Sequence, residues 1–310
     1  MVSATIISEA ARILRDGSLV AFPTETVYGL GADATNDHAV ARIFAAKSRP
    51  KINPLISHLA TPDEAFAEGN FSSVAKALAK AFWPGPLTLV IERSADCAIS
   101  QLCSAGLDSV ALRVPNHPVA LALLKEAGRP IAAPSANRSG RISPTTAEHV
   151  RRSLGSAVDM IVDGGPCAVG LESTVIQFEG DAVRLLRPGG LPRQEIERIL
   201  GHTLQEVKPG KTLASPGLLE SHYAPHAALR LNATEPEAGE RYIGFGKHAF
   251  GQYSLSRTGD LIEAAANLFK LLHEVDALHP DRIAVAPIPS HGLGEAINDR
   301  LRRAAASRTA

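Results

Sequence analysis

The order of apolar and polar positions in residues 1–204 predicts a domain of mixed helices and strands. Helical periodicity, with apolar side chains on one face, appears at residues 8–15, 37–47, 73–82, 118–127 and 146–154. Short strand-like apolar runs lie at 18–22, 54–59, 87–92, 109–114, 130–133, 160–162, 174–178 and 182–186. Because several of these strands follow one another without a helix between them, we expect an α/β sheet that is only partly parallel.

The regular pattern fades in residues 205–226, which are rich in proline, glycine and serine and contain the stretch SPGLLESHYAP. This composition is typical of an interdomain linker. Residues 227–310 then show strands at 229–231, 242–245 and 283–287 and helices at 261–275 and 293–306. This rhythm predicts a small three-layer α/β domain. The chain is therefore expected to hold a first domain at 1–204, a linker at 205–226 and a second domain at 227–310.

Composition excludes several classes of protein. The 310 residues are 45% hydrophobic and 21% charged, which is typical of a folded globular protein and not of a disordered or collagenous one. Lysine plus arginine and aspartate plus glutamate both number 32, so no uniform field favours nucleic acid or an anionic membrane. Three cysteines without a Cys-x-x-Cys pair, and no signal-like or membrane-length apolar run, lead us to expect a cytoplasmic protein.

Two familiar motifs are only partly present. Residues 210–212 read Gly-Lys-Thr, but a phosphate-binding loop needs an earlier glycine where this chain has Gln205. His222 and His226 have the spacing of helical zinc ligands, yet Pro225 between them disfavours a helix. We therefore predict neither a P-loop nor a histidine metal pair.

The first polar cluster follows a predicted strand and reads FPTETVYGLG at residues 22–31. Thr24, Thr26 and Tyr28 alternate, so in an extended chain their hydroxyls would face one side and could bind a small polar ligand. A surface turn with incidental hydroxyls explains this loop equally well.

The second cluster places three cations within five positions, at Lys47, Arg49 and Lys51. Cations at a helix C-terminus are favoured by the helix dipole alone, so these residues could form a solvated cap. The functional alternative is a phosphate clamp, with Pro50 and Pro54 stiffening the segment.

Two further clusters follow predicted strands. Residues 134–140, PSANRSG, with Ser143-Pro144-Thr145 beyond them, offer hydroxyls and backbone N–H groups near a helix start, where phosphate or ribose could bind. Residues 163–175 combine a Gly-Gly pair with the sequence Gly-Leu-Glu-Ser-Thr-Val. Arg113 interrupts an otherwise apolar strand, which indicates that it meets an anion.

Seven stretches occur in an order that resembles the YrdC/Sua5 family, the threonylcarbamoyl-AMP synthases. They are FPTETVYGLG, KSRPKINPLISH, FWPGPLTLV, ALRVPNHP, APSANRSGRISPT, GLESTV and LLRPG. The resemblance covers about residues 5 to 200, and the linker plus second domain resemble the longer, two-domain Sua5 form. It implies a YrdC-like mixed twisted sheet with flanking helices, followed by a small C-terminal Rossmann-like Sua5 domain.

The resemblance implies a nucleotidyltransferase reaction. L-threonine, bicarbonate and ATP are joined into threonylcarbamoyl-adenylate, and pyrophosphate is released. Downstream proteins then transfer the threonylcarbamoyl group to adenosine 37 of tRNA, so contact with tRNA is expected to be weak or indirect. Mg²⁺ is expected to arrive with ATP, since the sequence shows no dedicated carboxylate cage.

The resemblance also assigns binding residues, one by one, without identifying a catalytic base or a protein-held metal. Arg113 is expected to pair with the threonine carboxylate, Ala133 to act through its backbone and Tyr223 to reach back over the nucleotide. The residues implied for L-threonine are Thr26, His58, Arg113, Ala133 and Ser173. The residues implied for ATP are Lys47, Arg49, Asn53, Ser109, Ser135, Ser143, Arg187 and Tyr223.

Three other functions compete with this interpretation. An RNA-binding module without adenylation activity is the main alternative, although the balanced charge argues for weak binding at most. A carbamoyl-phosphate-using maturation factor would need extra domains that this chain lacks. An inactive scaffold would require all of the polar motifs to be coincidental.

Overall fold

The computed structural model describes residues 2–50, 53–180, 182–206 and 222–306. In the first domain the helices are α1 (Ala4–Arg15), α2 (Asp37–Lys47), α3 (Pro62–Glu68), α4 (Ser73–Phe82), α5 (Pro118–Ala127), α6 (Ala147–Leu154) and α7 (Arg193–Leu200). The strands are β1 (Val20–Phe22), β2 (Gly29–Asp33), β3 (Ile56–His58), β4 (Leu87–Glu92), β5 (Ser109–Arg113), β6 (Ile131–Ala132), β7 (Met160–Ile161), β8 (Thr174–Glu179), β9 (Ala182–Arg187) and β10 (Gln205–Glu206).

Within the described residues these ten strands form one sheet, in the order β10-β9-β8-β4-β5-β3-β6-β2-β1-β7. Parallel pairs such as β3 with β5 and β4 with β8 alternate with antiparallel pairs such as β4 with β5 and β8 with β9. The predicted mixed, partly parallel sheet is confirmed. Parallel and antiparallel neighbours bring the ends of several strands to one edge, which is where the polar loops lie.

Most helix boundaries follow from capping residues in the sequence. The Asn36 side chain accepts hydrogen bonds from the N–H groups of His38 and Ala39, and α2 begins at Asp37 as predicted. Ser72 caps α4 and Thr146 caps α6 in the same way. The sequence locates these elements well because a cap is a local interaction.

Besides the two-residue strand β10, three helices and strands of the first domain escaped prediction. The sequence pattern predicts a loop after Phe22, but the end of this segment forms β2, whose sequence is Gly-Leu-Gly-Ala-Asp. Glycine is depleted in strands, so its propensity argued against this element. The helices α3 and α7 have only 7 and 8 residues, too few for a clear periodic signal.

The second domain is built on β11 (Ala228–Arg230), β12 (Glu240–Gly244), β13 (Tyr253–Ser254) and β14 (Arg282–Val285), with helices α8 (Leu261–Asp276) and α9 (Leu293–Ala305). In the described chain its strands form a four-stranded sheet in the order β11-β14-β12-β13, and every pair is parallel. The parallel sheet fits the predicted small α/β domain. The short strand β13 was not predicted.

The connection between the domains begins later than the sequence pattern suggested. Strand β10 pairs with β9, so the first sheet continues through Glu206, into the predicted linker. Most of that linker, residues 207–221 with SPGLLES, lies outside the described residues. The description resumes at His222, and the proposed domain bounds stay a prediction.

The two domains are in direct contact beside the polar loops. Val27, Ile142 and Leu171 of the first domain share one apolar cluster with Phe269 and other side chains of the second. Gly170 has a positive φ of 73°, and a Cβ there would lie 2.6 Å from the backbone of Ala266 in α8. This close approach holds α8 against the segment that precedes β8. No helix in the described part of the chain is long and apolar enough to span a membrane.

Candidate active site

A polar cleft lies at the edge of the first sheet, where it meets the second domain. The cavity within it has a volume of about 50 Å³. Its walls come from the segments after β1 and β6, from β3, from the ends of β5 and β9, and from residues 222–223. The lining residues are Thr24, Thr26, Val27, Gly29, Arg49, Ile56, His58, Arg113, Ala133, Pro134, Ser135, Glu172, Ser173, Arg187, His222 and Tyr223.

The cleft brings together most of the residues named from the sequence. All five residues implied for threonine line it: Thr26, His58, Arg113, Ala133 and Ser173. Four of those implied for ATP do so as well: Arg49, Ser135, Arg187 and Tyr223. These residues are far apart in sequence, so only the fold could gather them. Their individual roles stay predictions.

Three other residues implied for ATP lie behind the lining. Lys47 and Asn53 are both buried, and they lie close to Arg49 in the sequence. Ser143 is fully buried, and its hydroxyl oxygen lies 2.6 Å from Glu172 Oε1. No described residue hydrogen-bonds either amide atom of Asn53. Burying an amide without a partner is costly, so a polar ligand group or solvent is expected at Asn53.

Ser109 is not among the residues that line the cleft. It begins β5, whereas Arg113 ends the same strand, and the four residue steps between them span about 13 Å. Its assignment to ATP stays a prediction.

Arg113 anchors one side of the cleft. Its Nη2 donates to Glu25 Oε1 at 2.7 Å and its Nε donates to the Gly85 carbonyl at 3.2 Å. The side chains of Arg113 and Glu25 are 4% and 9% exposed, so the ion pair is shielded from solvent. No described residue accepts a hydrogen bond from Nη1 of Arg113, which leaves that nitrogen available for the carboxylate of a ligand.

Two buried histidines add uncharged hydrogen-bonding groups. Burial lowers the pKa of His58 to about 3, and the nearby Arg113 charge acts in the same direction. Burial also lowers the pKa of His222 to about 3. Among the described residues the Nδ1 atoms of both rings lack a hydrogen-bond partner. Both imidazoles are therefore neutral at pH 7 and can bind a ligand without adding charge.

Arg49 and Arg187 form the cationic side of the cleft. Within the described part of the chain, the Arg49 guanidinium donates only to backbone carbonyls, those of Asn53 at 3.4 Å and Pro54 at 3.2 Å. Burial lowers the pKa of Arg49 to about 10, and the charge of Arg187 acts in the same direction. Two neighbouring buried cations repel one another, so this side of the cleft is suited to a polyanion such as a triphosphate.

Lys47 holds a loop rather than facing the cleft. Its ammonium donates to the carbonyls of Ser135 and Asn137, at 2.5 Å for Ser135. Burial lowers the pKa of Lys47 well below its ordinary value, with a smaller contribution from Arg49. Lys47 therefore fixes the backbone of Ser135, a cleft residue, from behind.

The loop after β1 is only partly as expected. Thr24 and Thr26 face one another, with their hydroxyl oxygens 2.7 Å apart, and both line the cleft. The Tyr28 hydroxyl instead donates to the Gly165 carbonyl at 2.7 Å. The prediction that all three hydroxyls face one ligand is wrong for Tyr28, because β2 begins at Gly29 and redirects the chain.

Sequence reasoning gave no role to Glu172 or to His222, although both occur in the quoted motifs. Glu172 Oε1 accepts from Ser143, and Oε2 accepts from Arg300 Nε at 2.8 Å. Burial alone would raise the pKa of Glu172, but the charges of Arg300 and Arg187 and these hydrogen bonds lower it to about 2. A fully ionised carboxylate therefore lies in the cleft wall.

Acid should destabilise the folded protein because it contains two buried and two half-buried neutral histidines. The pKa values of His58, His149 and His222 fall to about 3 and that of His273 to about 4, chiefly through burial. The unfolded chain, whose histidines have ordinary pKa values near 6.5, binds more protons than the folded chain between pH 6.5 and 4. The contribution of these histidines to the free energy of unfolding is therefore complete above this window and is lost as the pH falls through it. At pH 5 we expect His58 and His222 each to lower the free energy of unfolding by about 2 kcal/mol.

Denaturant unfolding of the ligand-free protein between pH 7 and pH 5 measures this effect. His222→Gln should flatten the pH dependence, whereas replacement of the exposed His38 by glutamine should leave it unchanged. A free energy of unfolding that is constant over this range would contradict the prediction.

Comparison with known proteins identifies relatives of both domains. The family model Sua5_yciO_yrdC, described as telomere recombination, matches residues 12–189. The model Sua5_C, described as the C-terminal domain of threonylcarbamoyl-AMP synthase, matches residues 191–306. The boundary between the two models precedes α7, although Ile196 of this helix packs in the core of the first domain.

Full-length relatives are similar over nearly the whole chain. The threonylcarbamoyl-AMP synthase of Bacillus subtilis is 43% identical over 97% of this chain and 93% of its own length. That of Pyrococcus abyssi is 42% identical over 96% and 94%. A crystal structure of P. abyssi Sua5 complexed with L-threonine superposes with a TM-score of 0.89, at 40% identity over 96% of this chain and 94% of that one. Escherichia coli YciO, at 24% identity, 60% and 90% coverage and a TM-score of 0.56, shares the fold of the first domain.

Proposed function

The chain belongs to the Sua5/YrdC family, and on this basis we propose that its cleft synthesises threonylcarbamoyl-AMP from L-threonine, bicarbonate and ATP. One observation carries the proposal: all five residues implied for threonine and four of the eight implied for ATP line a single cleft. The similarity to P. abyssi Sua5, which binds L-threonine in its crystal structure, supports the amino-acid substrate.

Threonine would bind at the Arg113 side of the cleft. The free Nη1 of Arg113 suits the substrate carboxylate, and Glu25 keeps the guanidinium in a fixed orientation. Thr26, His58 and Ser173 would supply uncharged contacts to the hydroxyl and amine groups. The neutral state of His58 matters here, because a protonated imidazole would compete with Arg113 for the carboxylate.

ATP would bind with its phosphates against Arg49 and Arg187. The threonine amine attacks the bicarbonate-derived carbon to form a carbamate with loss of water, and a carbamate oxygen then attacks the α-phosphorus as pyrophosphate leaves. Both steps depend on holding the reactants in line and neutralising charge, so no covalent enzyme intermediate is required. The buried cations would stabilise the charge that develops on the departing pyrophosphate.

Mg²⁺ would be held mainly by the ATP phosphates. Among the residues that the structure describes, no cluster of three or more His, Cys, Asp or Glu side chains could hold a metal ion. Glu172 is the carboxylate that lines the cleft, and its oxygens already accept from Ser143 and Arg300. Bound Mg²⁺ would supply charge neutralisation and geometry at the phosphates.

The product is a mixed anhydride that water hydrolyses, so the cleft should limit access of solvent. Tyr223 is 1% exposed and forms part of the lining next to the nucleotide side. Transfer of the threonylcarbamoyl group to tRNA would be the task of downstream proteins, to which the product must pass.

Pyrophosphate release from MgATP tests the proposal directly. We expect release only when L-threonine and bicarbonate are both present, and L-serine should substitute poorly. Omission of either substrate serves as the control. Salt-sensitive tRNA binding without pyrophosphate release under any of these conditions would instead favour the RNA-binding alternative.

A further inference from the structure

A side chain of the second domain reaches the wall of the cleft. Arg300 lies in α9 and is fully buried, and its Nε donates to Glu172 Oε2 at 2.8 Å. Its Nη1 donates to the Pro188 carbonyl at 2.9 Å and to Asp299 Oδ2 at 2.7 Å. Glu172 and Pro188 flank β8 and β9 of the first domain, so one guanidinium ties both segments to the second domain.

The same guanidinium also contacts the residue expected to cover the nucleotide. Arg300 Cζ lies 5.3 Å from the centre of the Tyr223 ring, within the range of a cation–π interaction. Phe269 of α8 packs on this ring, with the centroids 5.5 Å apart. Tyr223 adopts a positive φ of 64°, which is uncommon for a residue with a side chain, so contacts of this kind are needed to hold it.

The second domain also contacts Ser143, the residue that donates a hydrogen bond to Glu172. Ser143 donates its hydroxyl to Glu172, and its backbone carbonyl accepts from His273 Nε2 in α8 at 3.1 Å. Both members of the Ser143–Glu172 hydrogen bond are thus fixed by helices of the second domain.

The charge of Glu172 explains why this arrangement matters for the reaction. Glu172 faces the side of the cleft where Arg187 lies, and an unpaired carboxylate there would repel ATP phosphates. We propose that Arg300 is a positioning residue for the adenylation reaction, through which the second domain holds Glu172 and Tyr223 in place at the nucleotide side of the cleft. This inference rests on the proposed function.

Arg300→Met tests the inference in the full-length protein. Removing one partner of a buried, hydrogen-bonded ion pair should weaken binding of a non-hydrolysable ATP analogue about 100-fold. The KM for L-threonine should change less than about threefold, because Arg113 is not part of this network. Arg300→Lys keeps the charge but not the planar fork, so it should fall between the wild type and Arg300→Met. It also provides the measurement if Arg300→Met does not fold.

Glu295→Gln is the matched control, because it weakens an ion pair between the two domains that lies outside the cleft. Glu295 also lies in α9, and its Oε2 accepts from Arg193 Nε of the first domain at 2.9 Å, but neither residue lines the cleft. This variant should leave analogue binding within about twofold, since the pair is remote from the ligand. Equal weakening by Glu295→Gln and Arg300→Met would show that Arg300 acts only by holding the domains together, and would overturn the inference.

A double variant tests whether Arg300 acts through Glu172. In a Glu172→Gln background, Arg300→Met should cause much less than its 100-fold effect, because the unpaired charge is gone. Multiplicative effects of the two substitutions, or unchanged analogue binding in Arg300→Met, would also overturn the inference. Calorimetric binding separates this result from the proposed function: a wild type that binds the analogue but releases no pyrophosphate contradicts the reaction and still reports on Arg300.

Discussion

Replacing Arg113 with methionine should lower kcat/KM for L-threonine by about a thousandfold, the largest effect that we expect from a single substitution. The substitution removes the proposed partner of the threonine carboxylate. It also leaves the buried Glu25 carboxylate without its cation. Glu25 would then repel the substrate carboxylate, so loss of attraction and gain of repulsion act together. Steady-state pyrophosphate release at varied threonine concentrations measures the effect.

Two further variants separate these contributions. Glu25→Gln combined with Arg113→Met should recover part of the loss, since it removes the repulsion but not the missing contact. Arg129→Met is the matched control, because it also removes the cation from a buried carboxylate, that of Asp33, but Arg129 does not line the cleft. If Arg113→Met bound threonine as tightly as the wild type, the carboxylate site would have to lie elsewhere.

Replacing Arg49 with methionine should raise the KM for ATP about 100-fold while leaving the ligand-free protein as stable as before, or more so. Arg49 is 8% exposed and meets backbone carbonyls but no carboxylate among the described residues. A buried cation without a counter-ion destabilises the fold, and methionine fills a similar volume without that cost. Binding and stability should therefore change in opposite directions.

Thermal unfolding of the ligand-free protein and ATP titration together check this pair of effects. Arg42→Met, in the same helix α2, removes an exposed ion pair with Asp159 and should leave ATP binding unchanged. A large loss of ligand-free stability in Arg49→Met would mean that Arg49 is a structural residue rather than a phosphate ligand.

The sequence predicted most of the secondary structure because the relevant signals are local. Helix α2 begins after Asn36 and ends at Lys47, as its cap and its periodicity indicate. The sequence missed β2, because two glycines in five residues hide a strand that the neighbours β1 and β6 hold in place. It could not assign Tyr28, whose hydroxyl partner, Gly165, lies 137 positions away in sequence.

The sequence by itself determined the two-domain α/β class, the family and most of the residues around the cleft. Those conclusions rest on local caps, on periodicity and on short motifs, each of which can be read without knowing the neighbours in space. Only the tertiary structure decided that Lys47 fixes a loop and that Arg300 reaches Glu172 across 128 positions of chain. Burial and charge pairing depend on which distant segments come together, and packing of the two domains decides that.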